Sequence, residues 1–276
     1  MTSINPYKLP EGDVQIAFSG GRTSAFMLHK ILQANGDLPD RVKVMFLNTG
    51  RELPETIEFI ADCRDKWGVE ITFLEYDVTP DNKSSFKVVS IDSLDMNGLP
   101  FDKLIDRSKS IPRAGLRFCT GQLKVDTPIR YLKDVGWNKW AVAIGIRYDE
   151  PRRIKPNRKK YMTNWYPMFE AKHTNEDVLD FWSKQNFDLK LPSINGRTVG
   201  GNCDFCFLKS EASLVDMYRK HPERAQWWID AEKRTGKTFR DKQSYESLFD
   251  FIDKQADWVF DDEGFFCQED GGECTG

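Results

Sequence analysis

The sequence predicts an α/β fold, a doubly wound and mostly parallel sheet with a helical, cysteine-containing C-terminal extension. Three observations support it. Short apolar runs of strand character alternate with segments of helical period over the first hundred residues. The first such run breaks into glycines and resumes as a helix. Beyond about residue 165 helical composition prevails around a Cys-x-x-Cys knuckle. The expected division is an α/β domain over residues 1–165 and an extension over 166–276.

In order, "VQIAFSG" reads as a buried strand, and Ala25, Leu28, Ile31 and Leu32 recur at helical spacing from Thr23 to about Gln33. "RVKVMFLNTG" is a second strand, "PETIEFIADCRDKWG" a helix with Cys63 as a core thiol, and "EITFLEYDV" a third strand. Residues 79–118 mix Pro, Gly, Ser and Asn with charges and read as a mobile excursion over the site. "GQLKVDTPIRYLKDVG" is a helix that Pro128 splits or bends, and "KWAVAIGIR" a fourth strand. Thr174-Asn175-Glu176-Asp177 reads as a helix cap and first turn, and Pro222 separates two later helices. The sequence shows no internal repeat.

The chain has 276 residues, is 39% hydrophobic and carries a formal net charge of −3, enough to bury a substantial core and too acidic for a general nucleic-acid coat. The charge is uneven. Residues 106–160 hold fifteen Lys/Arg against five Asp/Glu, so one face is built for anions, whereas 257–276 hold seven acids and no base. "MTSINPYKLPEGD" does not read as a signal peptide and no apolar run spans a bilayer, so a cytoplasmic location and no membrane partner are expected. Six cysteines in such a compartment are thiols or metal ligands.

Ligands of parallel α/β sheets sit at the carboxyl ends of strands, where a helix amino terminus offers backbone N–H groups to an anion. Ser19, Gly20, Gly21, Arg22, Thr23 and Ser24 occupy such a place. The glycines permit positive φ and close approach to a phosphate, and the hydroxyls add donors. An ordinary strand-to-helix turn is the alternative. The Walker spacing is absent, and "TGKT" at 235–238 lacks both the earlier glycine and a preceding strand.

SGGxxS after a first strand resembles the PP-loop of the adenine nucleotide α-hydrolase superfamily, which includes N-type ATP pyrophosphatases and PAPS/APS reductases. Later segments resemble the reductase branch in order: "FLNTGRELPETIEF", "FCTGQLKVDTPIRYL", "GIRYDEPRR", "WYPMFEAKHTNEDVLDFW" and "CDFC". The resemblance spans about residues 14–210. It departs at Asn48, where aspartate is common, at Phe118, which replaces the first of two adjacent cysteines, and at Leu123, which replaces an arginine.

The resemblance implies an adenine nucleotide, ATP with Mg²⁺ or PAPS/APS, held by Ser19–Ser24 and by Asn48, Thr49, Gly50, Gly145 and Arg147. Catalytic candidates are Ser19, Lys124, Arg147 and Cys274. Arg147, Arg152 and Arg153 could pair with phosphate or sulfate through forked donors, and solvated surface charge is preferred for Lys159 and Lys160.

It also implies a [4Fe-4S] cluster on Cys119, Cys203, Cys206 and a fourth ligand, Cys267, Cys274 or something external, with Cys267 taken here. The Cys-x-x-Cys spacing suits one metal or cluster, and a structural zinc is the alternative. "ECTG" at the terminus keeps only Glu-Cys of the reductases' "ECGLH", and its acidic surroundings would raise the Cys274 thiol pKa. His29, His173 and His221 show no ligand spacing, and His29 reads as structural or surface.

Three functions remain in view: adenylation by ATP with sulfur transfer to a nucleic-acid or small-molecule acceptor, sulfonucleotide reduction to sulfite with a thioredoxin-like reductant, and a non-catalytic nucleotide-binding subunit with structural zinc. A homodimer is the expected assembly. The intact loop favours ATP, because reductases usually carry a degraded version.

Overall fold

The computed structural model describes residues 5–157, 159–194 and 197–254. The first half winds β1 (Asp13–Ala17), α1 (Arg22–Asn35), β2 (Val42–Asn48), α2 (Pro54–Trp67), β3 (Ile71–Val78), β4 (Ser84–Val89) and α3 (Leu99–Ser108). A π-helical stretch, Thr120–Asp126, then runs into α4 (Thr127–Asp134), followed by β5 (Trp140–Ala143) and β6 (Met162–Trp165). Next come α5 (Pro167–Glu170), α6 (Asn175–Ser183), the small hairpin β7 (Ser193–Ile194) and β8 (Arg197–Thr198), α7 (Glu211–Lys220), α8 (Pro222–Thr235) and α9 (Tyr245–Lys254).

The six large strands form one sheet in the order β4-β3-β2-β1-β5-β6, parallel except for the β3–β4 edge. Ile16 lies in register with Val44 on one side and Ala143 on the other. Side chains alternate between faces along each strand. Val14, Ile16, Val44, Phe46 and Phe73 therefore enter one apolar cluster, and Met45, Leu74 and Val142 the opposite one. Ile129 and Leu132 of α4 cover the second face; α1, α2 and α3 pack on the first. That first cluster continues through Trp182, Phe205, Trp228 and Phe249, so the helices beyond residue 166 share a core with the sheet.

Residues 79–118 are not a mobile excursion. They contain the edge strand β4 and helix α3, whose Phe101, Leu104 and Ile105 are buried. Pro100 sits in the first turn of α3, where its missing N–H costs nothing, so it begins a helix rather than breaking one. Pro128 likewise falls at the junction between the π-helical stretch and α4. Thr174 caps α6 by exchanging hydrogen bonds with Asp177, and Pro222 starts α8 one residue after α7 closes.

Candidate functional site

Because the chain moves from β1 to β2 on one side and returns to β5 on the other, the carboxyl ends of β1 and β5 flank a topological switch point. The loop Ser19–Ser24 leaves the sheet there. Gly20 has φ +76°, and a Cβ on it would lie 2.7 Å from Ile60 Cδ1 and 2.8 Å from Thr56 Cγ2, so glycine is demanded by both conformation and space.

Ser24 is buried and holds the loop shut: its hydroxyl donates to Gly21 O at 3.0 Å and accepts from Ser19 N at 3.2 Å. Since that proton is committed, Ser19 Oγ donates across the 2.9 Å contact with Ser24 Oγ. α1 then starts from Gly21 with no side-chain cap and no acid in its first turn, leaving a positive helix end facing the cleft.

Arg22 serves differently. Its guanidinium turns to Asp188 (2.7 and 2.8 Å), Leu191 O, Ser193 and Thr198, fastening the 188–198 segment beside the loop. What Arg22 offers a ligand is its backbone. Ser19, Gly20, Gly21, Arg22 and Thr23 line one pocket together with Thr56, Asn175, Ser193, Thr198 and Asn202. A second pocket, with Ser19 and Asn202 again at its wall, reaches Gln15, Met45, Glu52, Lys124 and Gly145.

Arg147, just past β5, is 7% exposed; its Nη1 donates to Thr23 Oγ1 at 3.3 Å and its other nitrogens pair with Asp149 and Glu150. Arg153 also pairs with Glu150, and Lys159 with Asp126. Asn48, Thr49 and Gly50 are not among the residues lining these two pockets. Asn48 donates to Glu75 Oε1 and Asp95 O and accepts from Gly50 N, while Thr49 gives both its N–H and its hydroxyl to Glu52.

Thr49 instead borders a small third cavity that gathers Cys119, Cys203 and Cys206 with Thr120, Leu123, Lys124, Phe101 and Trp228. Residues more than eighty positions apart in the chain thus meet at one place. Burial pushes the Cys203 thiol pKa up, opposed in part by the Lys124 ammonium. Thr49 Oγ1 lies 3.4 Å from Cys203 Sγ. Lys124 borders both this cavity and the second pocket. Lys124 lies within the π-helical stretch and Cys119 stands just before it, a geometry that concentrates at functional sites.

The donor set suits a soft metal or cluster in chemistry, but among the described residues no three His, Cys, Asp or Glu side chains stand close enough to hold one ion. Cys267 and Cys274 lie outside the described residues.

The family model of the phosphoadenosine phosphosulfate reductase domain matches residues 13–189, from the start of β1 to just past α6. The chain belongs to this family. Membership makes it a nucleotide-using enzyme by descent. A relative in Escherichia phage lambda, the uncharacterized nin region protein ORF290, is 33% identical over 204 residues, 72% of this chain and 67% of that protein. Among solved structures, the phosphoadenylyl-sulfate (PAPS) reductase of Candida auris in its phosphate complex aligns with a TM-score of 0.45 at 13% identity, over 70% of this chain and 88% of that one. The U34-tRNA thiolase NcsA of Methanococcus maripaludis, with its [4Fe-4S] cluster, aligns with a TM-score of 0.36 at 12% identity, over 87% and 81%. Likenesses this distant transfer no residue roles.

In this member of the reductase-domain family the Cys203–Cys206 knuckle is anchored by a buried charge cluster that motif reading missed. Asp204 has no exposed surface; its Oδ2 accepts from Arg51 Nη2 and Arg224 Nε, each at 2.6 Å, and its Oδ1 from Trp228 Nε1 at 2.7 Å. Asp204 N donates to Arg51 O, and the buried Lys209 donates to Gly201 O. The signal was present in "TGRE" and "CDFC", an arginine and an aspartate each adjoining a motif residue, but nothing local pairs positions 153 apart. Cys63 is fully buried in α2, as its amphipathic surroundings predict, and His29 packs between Trp67 and Phe181. Lys237 of the "TGKT" run bonds to Lys109 O and Ser110, remote from the cleft residues. No described helix is long and apolar enough to cross a membrane.

Proposed function

We propose that the chain binds an adenine nucleotide across the cleft between β1 and β5, ATP in preference to a sulfonucleotide, and acts at its α-phosphate to activate an acceptor for sulfur transfer. The observation that carries this reading is the loop itself: an intact Ser-Gly-Gly-x-x-Ser whose two serines bond to each other and whose helix opens without a competing side-chain cap. Backbone amides of the loop would hold phosphoryl oxygens, and their fixed dipoles would stabilise negative charge that builds in the transition state. Arg147 donates to Thr23 Oγ1 beside the loop, but Asp149 and Glu150 already pair with its guanidinium, so its part would be to position the loop rather than to neutralise the phosphate. Lys124 supplies the charge on the side toward the cysteines.

Mg²⁺ would arrive on the phosphates. Glu52 borders the cleft, but both its oxygens accept from Thr49, so no step is assigned to a protein-held cation. Cys119, Cys203 and Cys206 are the residues that would face an iron-sulfur cluster or zinc. Their spacing as described does not yet enclose one ion, and no step is routed through it. The acceptor, nucleic acid or small molecule, would reach the cleft over the basic span 106–160.

The family match favours a second reading, sulfonucleotide reduction, in which the Cys274 thiolate would attack the sulfuryl sulfur and displace the nucleotide phosphate, and a thioredoxin-like dithiol would release sulfite from the resulting S-sulfocysteine while being oxidised to its disulfide. Two assays on anaerobically purified protein separate them. Pyrophosphate release from MgATP with the acceptor-containing extract, lost in Ser19→Ala and Ser24→Ala, supports adenylation; sulfite release from PAPS, lost in Cys274→Ser, supports reduction. Failure to bind either nucleotide would overturn both. Iron, sulfide and zinc analysis of the same preparation identifies the inorganic group.

A further inference from the structure

The amide of Asn202 is 9% exposed, and its Nδ2 has no hydrogen-bond partner. Buried amide nitrogens are nearly always bonded, so such an exception needs a reason. This one borders both pockets of the cleft, beside Ser19. Thr56 lines the first pocket as well, and its buried Oγ1 is also without a partner. Two unsatisfied polar groups therefore share a cavity with the amides of Ser19–Thr23.

Asn202 is also held firmly where it is. Its φ of 60° is a left-handed conformation that asparagine tolerates better than most residues. The peptide before it is held by Lys209 Nζ on Gly201 O at 2.6 Å, and two residues on Asp204 N donates to Arg51 O at 2.8 Å. A conformation over-determined in this way is a common mark of a ligand clamp. Nor does a cation dominate the pocket: the Arg22 guanidinium at its edge is occupied by Asp188 and its neighbours. The unpartnered polar groups at this pocket are neutral, which suits a tetrahedral oxyanion already met by a helix end.

We propose that Asn202 is a nucleotide ligand: its Nδ2 donates to a non-bridging oxygen of the phosphoryl or sulfuryl group seated at the Ser19–Thr23 loop, with Thr56 Oγ1 bonding the same group. The inference rests on the nucleotide reading above and adds to it a residue from the cysteine knuckle, so the two halves of the chain close on one anion.

Calorimetric titration of the full-length protein with MgATP, and separately with PAPS, tests it. Asn202→Gly keeps the left-handed backbone and removes the amide, and should weaken the bound nucleotide at least tenfold, as expected for a hydrogen bond to a charged group. Asn202→Asp keeps shape and backbone but sets a carboxylate against the anion, and should weaken it further. Thr56→Val should follow in the same direction and Thr56→Ser should restore binding. Loss confined to PAPS identifies the sulfuryl group, and loss with MgATP identifies a phosphoryl group. Unchanged denaturation midpoints confirm that the variants are folded. If Ser24→Ala weakens binding while both Asn202 variants stay within twofold of wild type, this inference is wrong and the nucleotide reading survives. If wild type binds neither nucleotide, both fall.

Discussion

Removing the charge of Asp204 should destabilise the protein by about 4 kcal/mol, even when its shape is kept. The carboxylate is fully buried between Arg51 and Arg224, whose side chains are 4% and 14% exposed. Breaking a buried ion pair from one side costs roughly 3–5 kcal/mol, because the remaining charge has neither partner nor water. Asp204→Ala leaves two such guanidiniums and also strands Trp228 Nε1, a buried donor.

Asp204→Asn is the sharper test. Oδ1 already serves Trp228 and the Phe205 amide, so the new NH₂ must take the Oδ2 position, where both arginines donate. Three donors would meet with no acceptor, and Asp204→Asn should lose about as much as Asp204→Ala. Against a total stability of about 5–15 kcal/mol, this moves the urea midpoint far to the left at unchanged slope. At roughly 2–4 °C per kcal/mol, the melting temperature falls by about 8–16 °C. Replacing both arginines by methionine in the Asp204→Ala background should recover part of the loss. An Asp204→Asn protein within about 1 kcal/mol of wild type would show that the cluster is not the anchor of the knuckle.

Gly50 is as constrained as Gly20: at φ +80°, a Cβ would lie 2.7 Å from the Gly98 backbone, and Gly50→Ala should cost about 2–4 kcal/mol in urea unfolding. Ser24→Ala breaks the bonds to Ser19 and Gly21 and should cost about 1–3 kcal/mol in the same measurement. Stability should also fall as pH drops. Burial lowers the pKa of both His29 and His173, below the unfolded value of 6.5. The unfolded chain then binds protons first, so these residues contribute stability above about pH 6.5 that is lost as pH falls through the lower folded values. Denaturation midpoints compared between pH 7.5 and 5 should change less in His173→Gln, whose ring position is set by Tyr7 Oη at 2.6 Å from Nδ1; an unchanged pH slope would remove the histidine explanation.

Legibility in the sequence followed the range of the interactions. The loop at Ser19–Ser24 was readable because its constraints are local: two glycines, two serines and a change from strand to helix period. The meeting of Cys119 with Cys203 and Cys206 came from the resemblance, since spacing alone joins only the last two. β4 and α3 were missed for identifiable reasons. "SSFKVV" is a half-exposed edge strand without strong apolar alternation, and the Gly98-Leu99-Pro100 start of α3 looks like a turn until its buried face is known. Asn202 and Asp204 were invisible because nothing in "GGNCDFC" tells that one amide lacks a partner or that one carboxylate faces two arginines.

The two arginines that follow the first two strands explain why the site cannot be assigned to either half alone. Arg22, after β1, spends its guanidinium on residues 188–198; Arg51, after β2, spends its own on Asp204 and Arg224 O. Each ties the sheet's carboxyl edge to the later part of the chain. The same later part covers the face of the sheet that α1 and α2 share, through Trp182, Phe205 and Trp228. Cutting at residue 165 would leave that apolar surface bare and both guanidiniums without their carboxylates. The Ser19–Ser24 loop, the orphaned amide of Asn202 and the cysteine cavity therefore rest on one shared core, and the distance between loop and thiols is set by that packing.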